Sequence, residues 1–226
     1  MTQRSDFDTA PATAAPRHSA LVIYCHPRPD SMTAAVRDVV LQRLAAAGAE
    51  VRLRDLYAEG FDPVLSGDEW AHYGDSSVNR APVAAHVADL AWCDTLILVY
   101  PTWWYGLPAL LKGWMDRVLL PGVAFEIDAG NGAIRPGLRR IERLGVFTSC
   151  GASWWMMQLM GMPGRRMVLR GLRALCARRC RTAFAAHYRM DQSTPASRAA
   201  HLARVARRMD RLLHGKRRRA PQGPAA

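Results

Sequence analysis

Five short strand-like runs, four of them apolar and one alternating, recur along the chain, and each is followed by a longer segment with helical spacing of its apolar residues. Ser19 to Pro27, SALVIYCHP, is a continuous run rich in Leu, Val and Ile that ends at prolines 27 and 29. A run of this kind suits a strand buried on both faces. DSMTAAVRDVVLQRLAAAGAE follows. Asp30 or Ser31 can cap a helix there, Val36, Val40, Leu44 and Ala47 recur at helical spacing, and Gly48 is a good stop. The short, alternating EVRLRDL predicts a second strand. APVAAHVADLAWC predicts a helix, DTLILVYP a third, buried strand, and LPALLKGWMDRVL a helix with Pro108 early, where proline is tolerated. RLGVFTSC predicts a fourth strand and RTAFAAHYRM a fifth, with the amphipathic, basic RRMVLRGLRALCAR between them. TPASRAAHLARVARRMDRLLHG closes the series as an amphipathic helix. Strands alternating with helices predict an α/β fold, a doubly wound five-stranded parallel sheet with helices on both faces. Pro63 to Arg80 is the longest irregular stretch before the third strand, a length at which loops are often functional.

Composition narrows this picture. With 226 residues, half of them hydrophobic, one domain is expected, spanning 19–214. Residues 1–18 read as a flexible extension and 215–226 as a disordered basic tail. No apolar stretch is long enough for a bilayer, and the N-terminal segment has no apolar centre. A cytoplasmic protein without membrane insertion is therefore expected. Cys25, Cys93, Cys150, Cys176 and Cys180 are scattered and odd in number, which argues against a disulfide framework. No second Cys/His pair stands at zinc spacing, so no metal site is expected. The net charge of +12 comes almost entirely from arginine. It supports an anionic partner, which could be a nucleotide cofactor, a nucleic acid or an anionic surface. The basic runs carry no interleaved aromatics and match no nucleic-acid motif, so a nucleic-acid partner remains a remote alternative.

In open parallel sheets, ligands bind beyond the carboxyl ends of the strands. That rule selects three loops. CHPRPDSMTA, after the first strand, offers His26 and Arg28 as donors, the hydroxyls of Ser31 and Thr33, and the free N–H groups of a helix start. It reads equally well as an ordinary strand–helix turn with a serine cap. YPTWWYGLP, after the third strand, places Trp103, Trp104 and Tyr105 where they can wall a flat ring, or where they pack a core or a dimer. The Gly106–Leu107–Pro108 turn forces a compact return of the chain beside them. FTSCGAS, after the fourth strand, offers hydroxyls, a thiol and small-residue backbone. Trp154 and Trp155 open WWMMQLMGM, a soft, adaptable segment suited to a pocket or an interface. There is no Gly-x-Gly-x-x-Gly fingerprint and no Walker loop.

HPRPDSMTAA, YPTWWYGLPALLKGWMDRVLLPGVAF and TSCG resemble, in order and spacing, the motifs of the NAD(P)H:quinone oxidoreductases, flavodoxin-like flavoproteins of the DT-diaphorase type. The resemblance runs from about Ala20 to Gly151. It implies a flavodoxin-like fold, a bound FAD (FMN being possible), NAD(P)H as reductant, a homodimer, and ping-pong two-electron reduction of a quinone or another small, flat acceptor. Carried over by motif, His26, Ser31, Met32 and Thr33 hold the phosphates and ribityl chain. Thr102, Trp103, Trp104 and Tyr105 lie along the isoalloxazine. Thr148, Ser149, Cys150 and Gly151 lie at its pyrimidine end, where Thr-Thr-Gly-Gly is commoner. Phe125 borders the substrate pocket. The Tyr and His of the mammalian charge relay fall, by counting, on Met156 and Met162, so no catalytic side chain is assigned. The same family contains flavoprotein partners of potassium-efflux systems, which makes a regulatory subunit of a membrane transporter the main alternative.

Overall fold

The computed structural model describes residues 18–128 and 130–214; the N-terminal extension up to residue 17 and the basic tail lie outside the described residues. In chain order the elements are β1 (His18–Tyr24), α1 (Met32–Ala46), β2 (Ala49–Asp55), α2 (Gly67–Ala71), α3 (Ala84–Trp92), β3 (Thr95–Thr102), α4 (Ala109–Val118), β4 (Phe125–Ile127), β5 (Ile134–Pro136), β6 (Arg143–Cys150), α5 (Trp154–Leu159), α6 (Pro163–Arg166), a wide helical turn over Met167–Leu172, α7 (Arg173–Leu175), β7 (Arg181–His187) and α8 (Pro195–His214). β1 begins at His18, one residue inside the segment read as an extension.

Five strands form one parallel sheet in the order β2-β1-β3-β6-β7, and β4 and β5 form a separate antiparallel hairpin. The apolar runs of β1, β3 and β6 are buried because helices cover both faces. Alternate side chains divide between two cores. Leu21, Ile23, Leu96, Leu98, Leu144 and Val146 pack with Leu90 of α3 and Trp114 of α4. Ala20, Val22, Ile97, Val99 and Phe147 pack with Val36, Val40 and Leu44 of α1 and with Val205, Met209 and Leu212 of α8. β2 pairs only with β1, and its alternation reflects that edge position. There Arg52 and Arg54 clamp the buried carboxylate of Asp89 on α3 at 2.8 and 2.6 Å. Burying a carboxylate is tolerated because two charge-assisted hydrogen bonds replace its water.

Pro63 to Arg80 is not wholly irregular. α2 lies within it, started by a capping box between Ser66 and Glu69. Arg117 of α4 grips Glu69 at 2.7 Å and also donates to the carbonyl of Asp62. The helix spans five residues with none buried, too short to leave a periodic apolar signal.

His187 of β7 and His201 of α8 meet in the interior with ring centroids 5.1 Å apart. Neither ring nitrogen of His201 has a hydrogen-bond partner. Burial, then the neighbouring His187 and Arg204, pushes the pKa of His201 down from 6.5 to about 4. Burial and Arg54 do the same to His86. Between pH ~6.5 and ~4 the unfolded chain therefore binds more protons than the native one, and stability falls as the pH drops through that window. His201→Leu should flatten this acid limb by up to about 3 kcal/mol, and should not destabilise the protein at pH 7.5, where it replaces an unsatisfied polar ring. Urea unfolding at pH 7.5 and pH 5 measures both effects.

Candidate functional site

β2 and β3 flank β1 on opposite sides, so the winding of the chain reverses between β1 and β3. That reversal separates the connections leaving their carboxyl ends and opens a crevice. β3 and β6 pair so that Pro101 faces Ser149 and Thr102 faces Cys150, which brings the second and third loops side by side. The resulting cleft has a volume of about 750 Å3. It is lined by His26, by Pro101 to Tyr105, by Ser149 to Ala152, and by Met190 and Asp191.

The aromatic loop is a tight turn. The N–H of Gly106 donates to the carbonyl of Trp103 at 2.9 Å, and the two residues between them, Trp104 and Tyr105, both have positive φ, 48° and 62°. Turns with two positive φ values favour Asn and Gly. Two bulky aromatics here are strained, and Trp104 gains little packing in return because it is 95% exposed. Strain of this kind persists where function requires the geometry. Gly106 itself does not have positive φ, and a Cβ on it would make only ordinary contacts, the nearest at 3.8 Å. The expectation that Gly106 supplies the turn is therefore corrected, since the unusual backbone lies at Trp104 and Tyr105. The smallness that matters is across the interface. A Cβ on Gly164 of α6 would stand 3.3 Å from the carbonyl carbon of Gly106.

In the first loop, Nδ1 of His26 accepts the N–H of Arg28 at 3.0 Å. The same Nδ1 lies 3.2 Å from the Arg28 carbonyl; with the shorter bond accepted, the proton sits on Nε2 and leaves a donor on a ring that lines the cleft. Partial burial lowers the pKa of His26 and so favours the neutral form. Arg28 is paired with Asp30 at 2.8 Å. Ser31 caps α1, its Oγ accepting the N–H of Ala34 at 3.1 Å. The side chain of Met32 packs against the second core, and Thr33 is buried with its hydroxyl 3.4 Å from that of Ser149. What this loop offers a ligand is therefore His26 and the backbone N–H groups of Met32 and Thr33, which lie in the first helical turn.

Thr148 lies below the cleft, where its hydroxyl bonds that of Thr102 at 2.8 Å and ties β6 to β3. Burial raises the pKa of Cys150, so its thiol is no activated nucleophile. Phe125 does not reach the cleft. It lies on the hairpin and lines a separate groove with Trp70, Met115 and Leu119. Trp154 and Trp155 project from α5, more than half exposed, and neither lines the cleft. Met162 is buried beneath the cleft with Met157 and Cys150, and Met156 stands on α5, so neither position offers a transferable proton. Met190 and Asp191 were missed. They follow β7, whose carboxyl end the same strand-end rule would have selected. A Cβ on Gly151 would meet the Asp191 carboxylate at 3.0 Å.

Two outcomes test this geometry. Trp104→Asn should stabilise the protein by roughly 0.5–1 kcal/mol in urea unfolding, because asparagine tolerates the left-handed region. Gly164→Ala should destabilise it by about 1 kcal/mol or more through overpacking against Gly106.

Comparison with known proteins agrees with this architecture. A family model described as a flavodoxin-like fold matches residues 18–213. The chain is 34% identical over 123 residues to a ribosyldihydronicotinamide dehydrogenase [quinone] of Pongo abelii, covering 47% of this chain and 53% of that one. It is 35% identical over 105 residues to an uncharacterised NAD(P)H oxidoreductase of Escherichia coli, covering 46% and 54%. The chain thus spans about half the length of the curated relatives it matches. The solved structure of an NAD(P)H:quinone oxidoreductase from Methanothermobacter marburgensis superposes with a TM-score of 0.72 at 23% identity, covering 90% of this chain and 99% of that one. The strand order, the cleft at the reversal of winding and the match across 18–213 together place this chain in the flavodoxin-like fold family.

Proposed function

We propose that this protein is an NAD(P)H-dependent flavin oxidoreductase that passes two electrons to quinones or similar flat acceptors. The observation that carries the reading is the cleft itself, held between β3 and β6 and edged by a strained aromatic turn. The quinone-reducing relatives support it.

The residues present fit a flavin. A volume of about 750 Å3 admits a fused ring system with a second flat molecule beside it. His26 and the N–H groups of Met32 and Thr33 would hold phosphate, the backbone from Thr102 to Tyr105 would edge the ring, and Ser149 to Gly151 would meet its far end. Asp191, beside Gly151, adds an acceptor there. FAD is the favoured flavin, with FMN the alternative. When bound, the flavin supplies the two-electron chemistry. The chain's own residues bind, orient and exclude water. A single cleft serves reductant and acceptor in turn, which makes turnover ping-pong. With Met156 and Met162 at the relay positions, protons must come from solvent or from cleft groups. A cytoplasmic homodimer completes the reading, in keeping with five buried free thiols.

The purified protein should take up FAD or FMN, turn yellow, and oxidise NAD(P)H with parallel-line kinetics against a quinone. A protein that stays colourless with both flavins would defeat the reading. His26→Ala should weaken flavin retention roughly tenfold or more. Ser31→Ala should instead cost about 1 kcal/mol of stability, through the lost helix cap, with a smaller effect on flavin. Flavin titration and urea unfolding of both variants separate the two roles.

A further inference from the structure

Behind the cleft, α5, α6, β7 and α8 border a second cavity of about 270 Å3. Trp154, Phe184 and Tyr188 line it with aromatic surface, and Gln158, Arg165 and Arg204 with polar groups. No carboxylate lines it. Neither arginine forms an ion pair with another described residue. The Arg165 guanidinium is held over the Phe184 ring, 5.2 Å from its centroid. Both arginines line the cavity with Tyr188, whose phenol pKa is raised by burial and by Cys150 while Arg165 and Arg204 act to lower it. Arg204 also acts on the buried His187 and His201, which together with Arg198 add no negative charge to this region.

Arg165 and Arg204 are both exposed at the rim of this open groove, and with no carboxylate lining it the groove presents a positive potential to an arriving anion. The arginine fork suits a carboxylate or sulfonate, and its planar face suits stacking on an aromatic ring. The aromatic walls favour an apolar, flat body beside that charge. We propose that this cavity is a binding site for a small planar aromatic anion, a carboxylate or sulfonate carried on one or two fused rings. The ring contacts Trp154 and Tyr188, and the acid group takes Arg165 and Arg204. The site shares no lining residue with the cleft, although a small cavity touching Thr102, Tyr105 and Cys150 on one side and Arg165, Phe184 and Tyr188 on the other lies between them, and the proposal does not depend on the flavin reading.

Calorimetric titration of the full chain with naphthalene-2-sulfonate tests this. One equivalent should bind, and Arg165→Gln and Arg204→Gln should each weaken binding roughly tenfold or more. Arg204→Lys should recover part of that loss, since it restores charge without the fork. The neutral naphthalene-2-sulfonamide should bind at least about tenfold more weakly than the sulfonate. Trp154→Ala should weaken both, and saturating FAD should not compete. Circular dichroism confirms that each variant is folded. The proposal is overturned if the arginine variants bind like the parent, if the sulfonamide or inorganic sulfate binds as tightly as the sulfonate, or if FAD displaces the probe.

Discussion

The parallel pairing of β3 with β6 is the constraint on which the rest of the site depends. Its register sets Thr102 against Cys150 and Pro101 against Ser149, and the Thr102–Thr148 hydroxyl bond fastens the two strands just below their ends. Slipping that pairing by one residue would reverse every side chain on the strand between the two cores. Because Leu96 and Leu98 pack one core and Ile97 and Val99 the other, a slip would force both close-packed cores to repack at once. The cleft is thus a consequence of how two apolar strands are packed, and its shape is as rigid as the interior beneath it.

On that rigid base the protein places strain. Trp104 and Tyr105 occupy a backbone region that bulky residues avoid, and the turn is backed by α6 through the close approach of Gly164 to Gly106. Support from below lets an exposed tryptophan be held in a conformation its own packing would not maintain. The polar groups around the cleft follow a similar division of labour. Ser31, Thr33, Thr102 and Thr148 hydrogen-bond within the protein, which leaves His26, Asp191 and backbone groups to meet a ligand.

Charge is distributed with comparable economy. At Asp89 and Glu69 arginine is neutralised by a carboxylate. Around Tyr188 it is not, and the two histidines behind it are driven towards their neutral forms by burial and by Arg204. The second cavity therefore contrasts chemically with the cleft. Both carry aromatic side chains, but the cleft sets them beside backbone groups and a carboxylate, and the second cavity sets them beside guanidinium groups.

The sequence by itself determined the five strands, their alternation with helices, and the strand ends at which a site must form. These are local matters: a continuous apolar run suits a strand covered on both faces, and proline or glycine punctuates it. It also identified His26, Trp103 and Gly151 as cleft residues, because loops at the carboxyl ends of parallel strands share one edge. What it could not decide was direction. Whether Ser31 faces a ligand or caps its own helix, and whether Thr148 opens into the cleft or bonds Thr102, depends on rotamers set by neighbours far away in the chain. Phe125 lies in the groove beside Met115 and Leu119 because the hairpin folds over α4, a contact no local pattern encodes. The contact of His201 with His187 and the meeting of Arg165 with Arg204 at one cavity were likewise tertiary outcomes. They bring together residues from β7, α6 and α8, and only the packed chain sets their separations.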